Sequence, residues 1–306
     1  MLFNVVTEEK MYTIVRKRKL AEQIILMDIK APLVARKCLP GQFIIAKTDE
    51  IGERIPLTIC DYNREEGTVT IVVQTIGAGT LRMMDLEEGD VLQDFVGPLG
   101  CASELCEEAN LEETKKKKIV FIAGGLGIAP VYPQVKWLHE HGVAVDVIMG
   151  SRTKDLLFYE DEMKAVAENV YVTTDDGTYG FAGNGCAQLE ALYANGVRYD
   201  QCVAIGPMIM MKYVCILTKK LELPTIVSMN PIMVDGTGMC GACRVLVGGE
   251  VKFACVDGPE FDGHLVDFDQ AMARQQQYKT QEGRAKLAIE EGDTHHGGCG
   301  HCGGDE

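Results

Sequence analysis

The feature that most constrains the fold is a change of hydrophobic pattern near residue 118. Before it, short β-branched segments such as EQIILMDIKA and GTVTIVVQTI follow one another, separated by turn residues. After it, continuous apolar segments such as KIVFIAGG alternate with helical segments such as PVYPQVKWLHEHG. Closely spaced strands predict an antiparallel barrel, and apolar strands alternating with helices predict a doubly wound parallel sheet. We therefore expect an all-β domain followed by an α/β domain.

The same pattern sets the expected boundaries along the 306 residues. A chain of this length accommodates two domains and a small module. In chain order we predict a β-barrel over 1–98, a polar linker over 99–118, a Rossmann-like α/β domain over 119–228, a cysteine-bearing module over 229–266, one exposed or docking helix over 267–292 and a glycine-rich tail over 293–306.

Charge and hydropathy exclude several classes of protein. The net charge is −15, whereas a nucleic-acid-binding face needs clustered basic residues. The basic run Lys115–Lys118 directly precedes a strand, and we interpret it as solvated linker. No apolar stretch reaches the roughly 18–20 residues of a membrane span, and the acidic start lacks a signal-peptide core. We therefore expect a cytoplasmic protein with reduced cysteines, no membrane span and no nucleic-acid partner.

The first strand of the α/β domain ends in a glycine-rich turn, IVFIAGGLGIAP. Gly124, Gly125 and Gly127 let the backbone approach a diphosphate, and the following helix start favours an anion. Their G-G-x-G spacing differs from the usual dinucleotide fingerprint, and such turns also occur without a ligand. Similar loops follow the next strands, at the end where open α/β sheets bind ligands. The further residues that we predict to bind nucleotide are Ala129, Pro130, Gly150, Ser151, Arg152, Asp175, Asp176, Gly206 and Pro207.

Charges after the second strand of this domain bear on the choice of nucleotide. Arg152 and Lys154 suit the 2′-phosphate of NADP, but ordinary surface charge explains them equally well. Asp155 beside them leaves the choice between NAD and NADP open. The predicted substrate is therefore NAD(H) or NADP(H).

Two motifs in the barrel half indicate a bound flavin. In ERIPLTICDY, Arg54 can meet a phosphate while Thr58 on the same strand meets the ring. An edge-strand arginine with a core threonine is the plainer interpretation of this stretch in isolation. In TIGAGT, two glycines and a hydroxyl open a helix and form a second possible diphosphate cradle.

The order of these motifs resembles the ferredoxin–NADP reductase superfamily over about residues 8–225. The motifs are PGQF, the Arg…Thr strand, GAGT, GGLGIAP and a late GP turn. The resemblance implies a barrel that binds FAD and a Rossmann-like domain that binds NAD(P)H. The usual flavin motif has its arginine three residues before the Ser/Thr and an aromatic directly before it, whereas here Arg54 stands four residues before and Leu57 replaces the aromatic. The flavin-binding residues implied are Arg54, Pro56, Leu57, Thr58, Val73, Gln74, Gly77, Gly79 and Thr80.

The segment PIMVDGTGMCGACRV and a later cysteine form the pattern D-x4-C-x2-C-x11-C. Thiolates with C-x4-C-x2-C-x11-C spacing hold [2Fe–2S] clusters, so Asp235 stands in the first ligand position, before Cys240, Cys243 and Cys255. A carboxylate is harder than a thiolate, but it is anionic and binds iron. Intervening glycines let the loop wrap a cluster and point amides at sulfur. A Cys3His zinc site with His264 and a plain glycine turn are the alternatives, and the flavoprotein pattern upstream favours the cluster.

A [2Fe–2S] module after such a reductase resembles the electron-transfer subunits of dihydroorotate dehydrogenase, in which all four ligands are cysteine. The aspartate, with DGTGMCGACRV and KFACVDGPEFDGHLVDF, more closely resembles the small subunits of NADH-dependent reduced ferredoxin:NADP oxidoreductases, also called sulfide dehydrogenase subunits. In those subunits three cysteines and one aspartate hold the cluster. This resemblance extends to about residue 290.

The resemblance implies an oxidoreductase subunit that exchanges hydride between NAD(H) and FAD and passes single electrons through its cluster. It also implies a heterodimer with a larger flavin/[4Fe–4S] subunit, which would handle NADPH and ferredoxin in electron bifurcation. Hydride transfer needs no acid–base side chain, so we predict no catalytic residue. The alternatives are an electron-transfer subunit of dihydroorotate dehydrogenase and a non-catalytic flavin and iron–sulfur redox sensor.

The last stretch, HHGGCGHCGG, lies outside these resemblances. Its Cys299 and Cys302 and the neighbouring histidines have metal-ligand chemistry. No apolar residues accompany them, so we expect a flexible tail that chelates metal only adventitiously.

Overall fold

The computed structural model describes residues 11–291. Its first domain is a barrel of six strands: β1 (Ile14–Ala21), β2 (Ile24–Lys30), β3 (Phe43–Lys47), β4 (Ile55–Asn63), β5 (Thr68–Gln74) and β6 (Asp94–Leu99). The strands pair antiparallel in the order β1-β2-β5-β4-β3-β6. A bridge between Thr13 and Val91, just before the two end strands, joins the open ends. The predicted barrel is confirmed.

Alternate residues of the barrel strands are buried in different cores, and this explains why the strands are apolar throughout. In β2, Ile25, Met27 and Ile29 point into the barrel, while Ile24 and Leu26 belong to a second core outside it. Because both faces are covered, the strand is apolar throughout instead of alternating. Two helices complete the domain, the predicted α2 (Ala78–Asp85) and α1 (Pro32–Lys37), whose six residues are too few to show a helical period.

The segment 99–118, predicted to be an irregular linker, contains local structure. It has two 3-10 helices and one short α-helix: Glu104–Cys106, Glu108–Asn110 and α3 (Leu111–Thr114). Leu105 and Cys106 are buried in the core outside the barrel. Because most of the segment is polar, its composition does not predict that these two apolar side chains are buried. They pack the segment against the core that both domains share.

The second domain contains a parallel sheet with helices on both faces, as predicted. Its strands are β7 (Ile119–Gly124), β8 (Val145–Ser151), β9 (Asn169–Thr174), β10 (Phe181–Ala182), β11 (Gln201–Ile205) and β12 (Thr225–Ser228). Its helices are α4 (Ile128–Glu140), α5 (Glu160–Val166), α6 (Gly185–Ala194) and α7 (Met208–Lys220). The strand order is β10-β9-β8-β7-β11-β12. Alternate residues of β7 face different cores, Phe121 on the side of α4 and Ile122 on the side of α6 and α7.

The two domains share one hydrophobic core. Leu26 and Val72, on the outer face of the barrel, lie in the same buried cluster as Val135 of α4. Beside this cluster, Lys136 Nζ lies 2.8 Å from Asp61 Oδ1 of β4. Apolar burial is the main favourable term in such contacts, so this packing determines how the barrel faces the sheet.

The cysteine module is continuous with the large sheet. Its strands are β13 (Arg244–Val247), β14 (Glu250–Phe253) and β15 (Glu260–Asp262). The first two form a hairpin, and β15 pairs antiparallel with β12, which makes it the seventh strand of the parallel sheet. The pairing holds the module at the edge of the second domain.

The predicted single helix over 267–292 is instead two helices, α8 (Phe268–Arg274) and α9 (Lys279–Glu290). α8 buries Phe268 and Ala271, whereas α9 buries no side chain, so they pack independently. The tail prediction for 293–306 lies outside the described residues. No helix within residues 11–291 is long and apolar enough to cross a bilayer.

A buried polar network connects three of these parts. Ser103 Oγ donates to Gln134 Oε1 at 3.2 Å, and Gln134 Nε2 donates to Glu260 Oε1 at 2.7 Å. These residues belong to the 99–118 segment, α4 and β15. Burial raises the pKa of the Glu260 carboxyl, because the charged form is harder to solvate in the fold than in the unfolded chain.

We therefore expect Glu260→Gln to stabilise the protein at alkaline pH and to have little effect at acidic pH. A carboxyl whose pKa is raised in the fold costs no stability while it is protonated, and it costs progressively more as pH rises through the folded pKa. Glutamine keeps the acceptor for Gln134 without the charge. Thermal unfolding from pH 4 to pH 9 measures the difference, with Glu65→Gln at an exposed turn as control. A gain that is the same at every pH contradicts this account.

Candidate functional site

A cavity of about 1050 Å³ opens where the barrel, one edge of the parallel sheet and the cysteine module meet. Parallel strands end at the same edge, so the predicted loops converge there. Gly124 of β7 pairs with Gly150 of β8, and Gly150 pairs with Thr173 of β9. This edge, outside the carboxyl ends of the strands, is where open α/β sheets bind ligands.

Nearly all the residues predicted to bind nucleotide line this cavity. They are Gly124, Gly125, Gly127, Ala129, Pro130, Gly150, Ser151, Arg152, Asp175, Gly206 and Pro207. The exception is Asp176, whose carboxylate accepts the hydroxyl of Thr178 at 2.7 Å and its amide at 3.0 Å. These bonds lower the pKa of Asp176, and they show that its carboxylate stabilises its own turn.

Close packing limits what the sheet edge offers a ligand. Gly127 passes so near the carbonyl of Ile205 that a Cβ would collide with it, so only glycine is accommodated. The ammonium of Lys154 lies over the ring of Tyr179, 4.9 Å from its centroid. Lys154 does not line the cavity. Of the two residues predicted to meet a 2′-phosphate, Arg152 is the one that does.

The barrel wall of the cavity includes residues 56–58 of β4 and Gln74 of β5, which are among the predicted flavin contacts. Val73, predicted beside Gln74, is instead fully buried inside the barrel. Successive residues of a strand point to opposite faces, and so Val72 lines the cavity in its place.

A second cavity, of about 420 Å³, adjoins the first at Ile76, which lines both. The start of α2 forms one wall, including the predicted residues Gly77, Gly79 and Thr80, and α9 forms the opposite wall. The hydroxyl of Thr80 accepts the Gly77 amide and donates to the Gly77 carbonyl, both at 3.0 Å. Thr80 thus caps the helix, while the first amides of α2 have no partner within the helix.

Arg54 lines neither cavity, which differs from its predicted contact with a flavin phosphate. Its Nε donates to the carbonyl of Val234 at 2.8 Å, and its Nη1 lies 3.8 Å from Asp94 Oδ2. Arg54 directly precedes β4, so strand alternation does not set its direction. It joins the barrel to the cysteine loop.

The cysteine loop brings its four predicted ligands together as two pairs. Cys243 Sγ and Cys255 Sγ lie 3.2 Å apart, and both residues are buried. Asp235 accepts the amide of Thr237 at 2.8 Å and that of Cys240 at 3.0 Å. These amides hold the pKa of the Asp235 carboxyl below its usual value, so it is an anion at neutral pH. Burial, with the Cys243 contact, raises the pKa of the Cys255 thiol to about 12, so a positive metal centre is needed to keep it as thiolate.

The loop is built for close approach to the barrel. Gly236 has φ of +79°, and a Cβ there would lie 2.7 Å from side-chain atoms of Ile45 and Leu99. A residue with a side chain would be both strained and blocked at this position. The loop therefore packs directly on the barrel, a role for this glycine that differs from the predicted one of wrapping a cluster.

The donor set suits two irons better than one zinc ion. His264, the fourth ligand in the zinc alternative, is hydrogen-bonded through Nε2 to Thr218 Oγ1 at 3.0 Å, beside α7. Two pairs of donors match a [2Fe–2S] cluster, in which each iron takes two protein ligands.

Phe43 and Met233 are the most informative residues that sequence reasoning missed. Both line the large cavity, and both belong to the buried cluster that contains Cys243 and Cys255. Two residues of the cavity wall thus share one buried cluster with the cysteines. The motif PGQF includes Phe43, but nothing in the sequence reveals that its ring contacts a module two hundred residues away.

Known proteins match this chain, one family model over its cysteine module and several relatives over most of its length. The family model for the iron–sulfur cluster binding domain of dihydroorotate dehydrogenase B matches residues 230–267. The dihydroorotate dehydrogenase B (NAD(+)) electron transfer subunit homolog of Thermotoga maritima is 44% identical, covering 88% of this chain and 92% of that protein. The electron transfer subunit of Geobacillus thermodenitrificans is 33% identical, covering 81% and 95%. An uncharacterized protein in the adh 3′ region of Clostridium beijerinckii is 64% identical, covering 97% and 100%.

Solved structures agree with this relationship. A chain of NADH-dependent reduced ferredoxin-NADP oxidoreductase, studied for flavin-based electron bifurcation, is 41% identical with a TM-score of 0.82, covering 92% of this chain and 98% of that chain. Phthalate dioxygenase reductase is 16% identical with a TM-score of 0.51, covering 77% and 85%, and it shares the fold alone. From these identities over most of both sequences, the chain belongs to the family of dihydroorotate dehydrogenase B electron-transfer subunits and their homologues.

Proposed function

We propose that this chain binds FAD and a [2Fe–2S] cluster and transfers electrons between NAD(H) and a larger partner subunit. The reaction would be electron-bifurcating, NADH-dependent ferredoxin:NADP oxidoreduction. FAD supplies the conversion between a hydride, which carries two electrons, and single-electron exchange with an iron–sulfur cluster. The observation that carries the proposal is the cavity of about 1050 Å³ bounded by barrel, sheet edge and cysteine module.

The barrel wall suits a flavin ring. Pro56 and Leu57 offer apolar contact and exclude water, while Thr58 and Gln74 offer polar atoms to the ring edge. The volume is at the upper end of the usual range for ligand sites, about 300–1000 Å³. It therefore leaves room for a nicotinamide beside the flavin.

The sheet edge suits the diphosphate and ribose of the pyridine nucleotide. The turn from Gly124 to Gly127 leads into α4, whose first amides favour an anion. Gly206 and Pro207, at the end of β11, border the same space. The exposed Arg152 is the residue available to a 2′-phosphate, and Asp175 lines the same wall with the opposite charge.

The cysteine loop suits electron transfer to another protein. Asp235 with Cys240, and Cys243 with Cys255, would hold the two irons. Cys240 and the adjoining Met239, which is 88% exposed, lie on the outer side, and the exposed Val234 and Val256 also belong to this module. Exposed apolar side chains at such a loop support docking of a partner subunit.

A dihydroorotate dehydrogenase partner is the second candidate, supported by the relatives with that name. The resemblance of the Asp235 loop to ferredoxin:NADP oxidoreductases favours the first candidate. Reconstitution with each candidate partner distinguishes them, because one complex would oxidise dihydroorotate and the other would couple ferredoxin to NADP.

The purified chain is expected to contain about one FAD together with iron and acid-labile sulfide in equal amounts. Stopped-flow mixing with NADH should bleach the flavin absorbance rapidly, and artificial acceptors should sustain turnover without a partner. Ferredoxin-linked NADP reduction should require the partner subunit. A colourless chain that holds zinc contradicts the proposal, and so does a flavoprotein that NADH does not reduce.

Two variants test whether Asp235 is an iron ligand or only stabilises the turn. Asp235→Asn keeps an acceptor for one amide but removes the anionic ligand, so it should lose most of the cluster. Asp235→Cys removes both amide contacts but restores an anionic ligand, so it should retain the cluster. Iron analysis and visible circular dichroism measure both. The reverse order of iron content would show that Asp235 acts only in the turn.

Arg54→Gln should weaken the cluster and spare the flavin. The change removes the guanidinium that holds the Val234 carbonyl, and we expect chelators to extract iron about tenfold faster. FAD content should be unchanged. Arg82→Gln is the control, since this partly exposed arginine pairs with Asp49 away from the loop. If the variant instead loses FAD while its cluster stays stable, Arg54 contacts the flavin phosphate, as predicted from the sequence.

A further inference from the structure

Among residues 11–291, the barrel contributes no cation to the lining of the cavity where the diphosphate of the proposed flavin would lie. The position three residues before Thr58 is Ile55, and Arg54 is occupied by the Val234 carbonyl. The second cavity, which adjoins the ring site at Ile76, is nevertheless lined by the residues that begin α2. Within the part of the chain that the structure describes, the charged lining residue contributed by the barrel is Glu53, which has the same sign as a phosphate.

Both cations that line this second cavity come from α9. Lys279, Glu282, Gly283 and Lys286 line it, and their spacing of three, four and seven residues places them on one helical face. Lys286 Nζ lies 3.6 Å from Glu290 Oε1, a loose and partly exposed pair that a stronger anion can displace. Glu53 and Glu282 are exposed and can turn towards solvent.

Two further properties of α9 indicate a ligand in this cavity. The helix packs on α2 but buries none of its side chains, so apolar contact does not explain why it lies there. Gly283 stands mid-helix, where glycine is unfavourable, and a Cβ on it would meet no atom of another element of residues 11–291 within 4 Å. Because Gly283 has no side chain, the space in the cavity between the two lysines stays open.

We propose that α9 is a strap across the diphosphate of FAD, with Lys279 and Lys286 supplying the positive charge that the barrel motif lacks. The amides of α2 contact the diphosphate from one side and the two ammonium groups from the other. This inference rests on the proposed function, because it assumes that FAD occupies the barrel site.

The test compares flavin affinities of the full-length chain after removal and re-addition of flavin. Lys279→Gln and Lys286→Gln should each weaken FAD binding about tenfold, and the weakened binding should depend less on salt. Riboflavin, which has no phosphate, should bind all variants equally. Arg284→Gln is the matched control, because it removes a cation from the same helix that does not line the cavity.

A steric variant tests the same position without changing charge. Gly283→Leu improves helix propensity and keeps both lysines, but its side chain enters the cavity, so FAD affinity should fall while thermal stability of the flavin-free protein does not. Unchanged FAD affinity in both lysine variants would overturn the strap. So would a raised KM for NADH with FAD retained, which would assign the lysines to the nicotinamide nucleotide. Failure of the unmodified chain to bind FAD would instead overturn the proposed function.

Discussion

Apolar packing between the outer face of the barrel and helix α4 is the interaction on which the site depends. Leu26 and Val72 turn away from the barrel interior and join the core that contains Val135. Because of this contact, the barrel wall faces the carboxyl edge of the parallel sheet. The cavity is the space between the two surfaces. The hydrophobic effect has no direction of its own, so the strand period selects which side chains take part.

The cysteine module completes the site because its chain returns to the second domain. Strand β15 adds to the large sheet, and the preceding loop packs on the barrel through Gly236. Arg54 holds the same loop through the Val234 carbonyl. With these contacts, Phe43 and Met233 form a shared wall between the cavity and the buried cysteines.

The differences between sequence and structure have physical causes that particular residues illustrate. Val73 belongs to the correct strand, but only its neighbours face the cavity, because a single-residue step reverses the face. Arg54 has the correct charge for a phosphate, but the loop that it meets lies about 180 residues further along the chain. The helix predicted over 267–292 divides at the polar run QQQY, where α8 loses its buried contacts.

The sequence by itself determined the barrel, the parallel sheet, the glycine loops and the spacing of the cluster ligands. These features follow from local periodicity and short-range spacing, which a single segment expresses completely. Only the tertiary structure decided which residues share the cavity, that Arg54 contacts the cysteine loop, and that α9 lies across the start of α2. Those contacts join distant segments, and their geometry depends on how whole elements pack, which no local pattern encodes.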